Sequence, residues 1–294
     1  MSPRWVQDGT CIAIDHVSKM LDSKVIQNQF SRVAKSYDAE SSLQRQIAEE
    51  LIDRVELVRP IEECLLDLGS ATGHLGRSAK EKFPNMSIVE IDLSLAMAVE
   101  SSTANASAKT LVSSAEMLAL SNESVPLVVS NMLLHWCDLR SVLTEVSRVL
   151  QVGGSFLFST LGPDSLLELR SAWAEVDTFA HVHDFFDMHN LGDALITAGF
   201  SEPVLDTDHF CVTYDEFPDL ILSLRRMGAT NARNDRRRTL TGKKRYQRAV
   251  ETYESFRNED GKLPVTYEIV YGLATKAHHW SGGSFPVVTR TEER

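Results

Sequence analysis

Two glycines and one acid set the chemistry this chain is equipped for. Gly69 and Gly73 frame the pattern Gly-x-Ala71-x-Gly, which follows an apolar run over residues 64–68 and precedes a helical pattern over residues 75–83. A strand that turns through small residues into a helix lets a ligand approach free backbone N–H groups at the positive end of the helix dipole. Asp92 lies 23 residues after Gly69, at the end of a second apolar run over residues 86–92. An acid about 20 positions beyond such a loop holds a ribose hydroxyl pair in nucleotide-binding α/β folds. Each feature also has a plainer reading. Small-residue turns join strands to helices without any ligand, and a strand-end Asp commonly caps the helix that follows.

The elements that must position these residues alternate. An amphipathic helix carries Leu43, Ile47, Leu51 and Val55 on one face and stops at Pro60. Strands are expected over residues 64–68, 86–92, 110–112, 125–130 and 155–160, with helices over 75–83, 95–99 (capped by Ser94) and 142–150 between them. This pitch implies a parallel sheet with right-handed crossovers, an α/β Rossmann-like fold whose ligand sits at the carboxyl ends of the strands. Gly69 to Gly73, Asp92, Ser114 and Asn131 all fall there. Beyond Pro163, helices are expected over residues 165–176 and 191–198, the latter stopped by Gly199, then strand segments over 204–208 and 212–214. Two more helices, over 217–227 and 241–256, precede a β-rich run over 264–275 that returns to the sheet. The expected organisation is an arm over 1–28, a core over 29–208, a helical insertion over 209–262, a last core strand over 263–277 and a loose tail over 278–294.

The chain has 294 residues, 43% of them apolar and 24% charged, which suits a soluble α/β protein. Cys11, Cys64, Cys137 and Cys211 are scattered without a C-x-x-C pair, as in a reducing compartment. No membrane-spanning run is present, and Asp8 and Asp15 break up the N-terminal stretch, so the expectation is a cytoplasmic protein without a membrane partner. A net charge of −11 argues against nucleic acid. Against that total stand ten bases between Arg225 and Arg248, with Asp235 the one acid among them. Such an island is either a solvated helical face or a landing surface for an acidic partner.

The segment from Asp67 to Gly73, Asp92, Ser114-Ala115-Glu116, Val128 to Asn131 and Leu150 to Gly154 occur in the order seen in S-adenosylmethionine-dependent methyltransferases of the seven-stranded class I type. The chain resembles that family, and more narrowly the malonyl-acyl-carrier-protein O-methyltransferases of biotin synthesis. The narrower resemblance rests on Phe30 to Asp38, Leu43 to Gln46, Phe158 to Pro163, Leu166 to Trp173, His181 to Asp193, Leu240 to Arg245 and Asp260 to Gly272. It implies that Asp67, Gly69, Ser70, Ala71 and Gly73 face the methionine part of S-adenosylmethionine, that Asp92 and Leu93 face its ribose, and that Ser114, Ala115 and Asn131 complete the cofactor site. Five positions at three places depart from the family pattern. Ser70-Ala71 replaces Cys-Gly, Ser114 replaces an acid, and Val125-Pro126 replaces Phe-Asp. The methyl at Ala71 can crowd the cofactor, and Ser114 removes an acceptor, each worth about 1 kcal/mol of affinity.

Methyl transfer to a malonyl carboxylate needs alignment in a dry site and no general base, since the carboxylate is already ionised near neutrality. Tyr37, Arg170, His135 and Trp136 are the candidates for the reaction site, Arg170 as the cation that orients the carboxylate; Arg225 and Arg226 are alternatives for that task. Tyr37 also reads as a buried aromatic and His135 as a packed one. His181 and His183 sit at metal-like spacing without a third ligand, so no metal is expected. Arg225, Arg226, Arg233, Arg236, Arg237, Arg238, Lys243, Lys244 and Arg245 are read as the docking surface for an acidic acyl carrier protein bearing a malonyl thioester. Two other readings stand beside this one. The C-terminal half, Asn258 to Tyr271, also resembles a methyltransferase-like assembly factor of respiratory complex I, and a degenerate cofactor pocket fits a carrier-binding module without activity.

Overall fold

The computed structural model describes residues 21–56, 58 and 64–277; the arm up to residue 20, the expected stop at Pro60 and the expected tail from residue 278 lie outside them. In chain order the elements begin with α1 (Ser23–Val33), α2 (Ser42–Val55), β1 (Cys64–Leu68), α3 (His74–Lys82), β2 (Ser87–Asp92), α4 (Leu95–Ala104) and β3 (Lys109–Val112). They continue with β4 (Val125–Asn131), α5 (Leu139–Val149), β5 (Leu150–Leu161), α6 (Leu167–Ala174), α7 (Met188–Thr197) and β6 (Phe200–Tyr214). Last come α8 (Phe217–Arg226), α9 (Lys243–Glu254) and β7 (Leu263–Lys276).

The seven strands form one sheet in the order β3-β2-β1-β4-β5-β7-β6. β1 to β5 run parallel, and β7 inserts antiparallel between β5 and β6. Local signals make these elements where the chain needs them. Ser94 and Asp138 cap α4 and α5 through Met97 N (3.3 Å) and Ser141 N (2.9 Å), and Gly199 ends α7 at φ +91°. The core has two parts. One packs Ile47, Leu51, Leu65, Leu127, Leu220 and Val265, and the other packs Leu66, Val128, Val142, Val146, Phe156 and Leu195.

Three differences from the sequence reading have identifiable causes. The arm expected up to residue 28 already contains α1, which Asp22 caps at Val25 N (3.2 Å). The strand expected from residue 155 starts at Leu150; Gly153 (φ +77°) and a register shift between Val125 and Leu127 absorb the Gly-Gly pair without ending the strand. The segments expected over 204–208 and 212–214 are one strand of 15 residues, so the expected border at 208/209 falls inside β6. The gap left at residues 209–211 closes because β6 is an edge strand with one face in solvent, and pairing along β7 carries its backbone through His209, Phe210 and Cys211.

Candidate active site

The carboxyl ends of β1, β2 and β4 open onto one cleft. Its wall includes Gly69, Ala71, Asp92, Leu93, Ser114, Ala115 and Asn131, and it continues past Tyr37, His135 and Trp136. The turn after β1 is built on left-handed backbone: Gly69 lies at φ +79° and Gly73 at φ +77°. A Cβ on Gly69 would meet Leu133 at 2.9 Å, and one on Gly73 would collide with Ser101 and Glu90, so both must be glycine. Gly73 therefore lets α3 pack on β2 and does not itself line the cleft. The turn is tied to the next strand: Gly69 N and Ser70 N donate to Ile91 O at 2.8 and 3.0 Å, and Ala71 N donates to Asp92 Oδ2 at 2.9 Å. Ser94 N donates to the other Asp92 oxygen at 2.7 Å.

A small lobe adjoins the cleft and shares Tyr37, Gln44, Gly69, Ala71 and Asn131 with it; Asp67, Ser70 and Arg45 also line it. Around this lobe three buried acceptors, Asp67 Oδ2, Ser70 Oγ and Gln44 Oε1, have no hydrogen-bond partner among the described residues. Leaving such an atom unmet costs about 1–3 kcal/mol, which a bound donor recovers. Register places Asp67 beside Glu90 on neighbouring strands, both out of solvent. Burial, then the Glu90 and Asp92 charges, push the Asp67 carboxyl well above the usual range, partly offset by the Gly76 N–H. Glu90 is satisfied by Ser101, Asn105 Nδ2 (2.9 Å) and Thr110 Oγ1 (3.2 Å). Clustered acidic side chains and unmet acceptors suit a cation that carries N–H donors. The ammonium of S-adenosylmethionine meets that requirement.

The opposite side of the cleft is aromatic. Phe30 from α1 lies edge-on to Trp136 (5.3 Å between centroids) and to Tyr37 (6.3 Å), and Trp136 packs on His183 (5.0 Å). Helix α1 is pinned above the loop after β2 by Gln27 Nε2 to Leu93 O (2.9 Å) and by the Ser31–Ser94 hydroxyl pair (2.8 Å). His135 is within 3.2 Å of Thr160 Oγ1, and burial pushes its pKa down to about 3. His183 Nε2 accepts the Ala232 N–H at 3.0 Å, and burial with the nearby Arg233 charge pushes it down to about 4. Both imidazoles are neutral at physiological pH. His181 stacks on Trp173 at 4.0 Å and contacts Asp177 at 2.8 Å, so the two histidines of the metal-like spacing serve separate partners.

Other expected site residues are placed differently. Arg170 is not on the cleft wall; it donates to Pro163 O and His183 O (both 3.1 Å) from behind Phe185. It is a brace for the wall, and burial lowers its pKa. The basic island divides in two. Arg233 is buried, pairing with Asp184 and with Asp235 (2.8 Å), and Arg237 reaches Asp177 (3.5 Å). Arg236 bonds Arg233 O (2.5 Å) and Arg226 faces Glu40 (3.4 Å). Arg225, Arg238, Lys243, Lys244 and Arg245 remain in solvent, Arg245 4.0 Å from Asp177. The cleft also holds residues the sequence reading did not single out, among them Gln27, Gln44 and Tyr267. The N-cap at Asp22 with Ile26, Phe30 and Val33 at helical spacing is the signal that marks α1; nothing local marks Tyr267.

A methyltransferase domain model matches residues 66–158. The chain is 39% identical over 267 residues to the malonyl-[acyl-carrier protein] O-methyltransferase of Gallionella capsiferriformans, covering 87% of this chain and 92% of that protein. It is 37% identical to malonyl-[acyl-carrier protein] O-methyltransferase 1 of Coxiella burnetii, covering 86% and 88%. Among solved structures, the YcgJ protein of Bacillus subtilis superposes with a TM-score of 0.56 at 15% identity, over 78% of this chain and 98% of that one, which shows the shared fold.

Proposed function

Because the chain belongs to the malonyl-[acyl-carrier protein] O-methyltransferase family, we propose that it methylates the free carboxylate of a malonyl group carried on acyl carrier protein, an early step of biotin synthesis. The enzyme is an S-adenosylmethionine-dependent methyltransferase, and that cofactor supplies an electrophilic methyl at a cationic sulfur. Neither the assembly-factor reading nor the inactive module is favoured by these relatives. What carries the proposal is the join between a lobe of unmet acceptors and a neutral, aromatic cleft.

The residues then divide the work. Asp67, Ser70 and Gln44 receive the cofactor's ammonium, and Arg45 in the same lobe is the cation available to its carboxylate. Asp92 faces the ribose, with its two oxygens held in place by Ala71 N and Ser94 N. Phe30, Tyr37 and Trp136 exclude water from the space beyond. A carboxylate nucleophile loses its hydration shell there, and the barrier falls through alignment alone. Neutral His135 and His183 lack the acidic imidazolium proton that would protonate it. The exposed bases Arg238, Lys243, Lys244 and Arg245 receive the acidic carrier.

The test is transfer of labelled methyl from S-adenosylmethionine to malonyl- and acetyl-acyl-carrier protein. An alkali-labile methyl ester formed only on the malonyl form is expected, together with rescue of a biotin-requiring strain lacking this step. A folded, cofactor-binding protein that labels neither substrate would overturn the reading.

A further inference from the structure

Tyrosine hydroxyls sort the interior of this protein into two groups. Tyr214 donates to Ser223 (3.0 Å), Tyr253 to Pro264 O (2.7 Å) and Tyr271 to Glu50 (2.6 Å). Tyr37 and Tyr267 make no hydrogen bond through their hydroxyls among the described residues, and both line the cleft. Tyr267 is 5% exposed. Neither hydroxyl is fully enclosed, so each opens on the cleft as a donor available to an acceptor that enters it.

Tyr267 is placed for the acceptor substrate and away from the cofactor. Its strand, β7, lies three positions from β1 in the sheet, on the order of 14 Å at the usual strand spacing. β7 pairs with β5 as far as Ile269↔Leu161, so Tyr267, two residues further, stands just past the carboxyl end of β5. That is the edge of the sheet on which β4 ends at Asn131 and Met132 follows. Leu166, Leu169, Val182 and Phe185 line the same cleft, a surface with few competing donors. Charge sorts the two tyrosines as well. Tyr37 is near Asp92 and Asp38, which repel an anion, whereas the carboxylate near Tyr267, Glu168, is engaged by Thr266 N (3.1 Å) and its hydroxyl. Burial raises the Tyr267 phenol above its ordinary value, so it keeps its proton and acts as a donor.

We propose that the Tyr267 hydroxyl donates a hydrogen bond to an acyl oxygen of the bound malonyl thioester and so selects and positions the substrate. The inference rests on the function proposed above and adds a residue to it. A single neutral donor orients the group while leaving the attacking oxygen its charge.

The test is Tyr267→Phe in the full-length enzyme with malonyl-acyl-carrier protein, which removes one oxygen and nothing else. KM is expected to rise about tenfold with kcat within about twofold, the calorimetric Kd for S-adenosylmethionine to stay unchanged, and the melting temperature to hold or rise. Acetyl-acyl-carrier protein as a competitive inhibitor distinguishes the acceptors. A weakened Ki places the bond on the thioester carbonyl, and an unchanged Ki with raised malonyl KM places it on the carboxylate. An unchanged KM, or a KM change matched by loss of cofactor affinity, overturns the proposal. Absence of ester formation by the unsubstituted enzyme would instead overturn the function on which it rests.

Discussion

Ala71 donates its N–H to Asp92 Oδ2 at 2.9 Å while holding a backbone φ of +47°. The bond locks the glycine turn to the acid of the second strand, and the conformation that makes it is one in which glycine is at ease and alanine is not. Left-handed backbone costs a residue with a Cβ about 1–2 kcal/mol, and the greater freedom of glycine in the unfolded chain returns about 0.4–1. Ala71→Gly should therefore raise the melting temperature by roughly 2 °C and tighten S-adenosylmethionine binding. Calorimetry and a thermal scan check both, and weaker binding would show that the methyl makes a useful contact.

Asp67 should make cofactor affinity depend on pH. Its carboxyl is raised by burial and by Glu90 and Asp92, so the free enzyme holds a proton there that a cationic ligand must displace. Affinity falls as pH falls through the raised value, by about tenfold per pH unit where one proton is released. Asp67→Asn should flatten that dependence and weaken binding. It should also stabilise the ligand-free protein: the folded state binds a proton the unfolded chain has shed, so wild-type stability declines as pH rises from the ordinary carboxylate value to the folded one. Melting temperatures of both proteins between about pH 4 and pH 8 read the sign.

The two histidines at the aromatic wall should leave no mark on the rate near their ordinary pKa. With His135 pushed down to about 3 and His183 to about 4, both stay neutral across the usual assay range. A kcat profile without an inflection between about pH 5 and pH 8 is expected. An inflection near 6.5 that vanishes in His135→Gln would show that this imidazole does protonate in turnover.

The exposed and buried bases should separate by assay. Reversing Arg238, Lys243 and Lys244 to Glu should raise KM for the carrier-bound substrate about tenfold at low salt, less at about 1 M where the Debye length is near 3 Å. A small malonyl thioester should be used as before. Arg233→Ala should act through stability instead, by about 1.5–3 kcal/mol, because it removes a buried guanidinium and its charge-assisted bonds while Asp184 and Asp235 keep access to water. Equal loss on both substrates in the triple variant would remove these bases from docking.

Much of the cleft wall was legible along the chain because a strand, its turn and the next helix are consecutive. Gly69, Asp92 and Asn131 are strand-end residues, and the alternation of apolar runs with helical periods is enough to bring strand ends to one edge of a parallel sheet. The relatives' names agree with what the resemblance implied. Other features depend on contacts between segments far apart in sequence. That Asp67 lies beside Glu90 follows from the register of β1 on β2, and that Arg170 braces the wall follows from the return of His183. The island of bases was visible as composition, but composition does not distinguish Arg233, buried between two acids, from Lys243 in water. Tyr267 lies in the Asp260 to Gly272 segment that carries the resemblance, but nothing local assigns it to the cleft. Its side chain enters the cleft because β7 inserts antiparallel between β5 and β6, and only that topology sets an unpaired hydroxyl there. Short-range order fixes which residues are strand ends, while burial and charge pairing are properties of the packed whole.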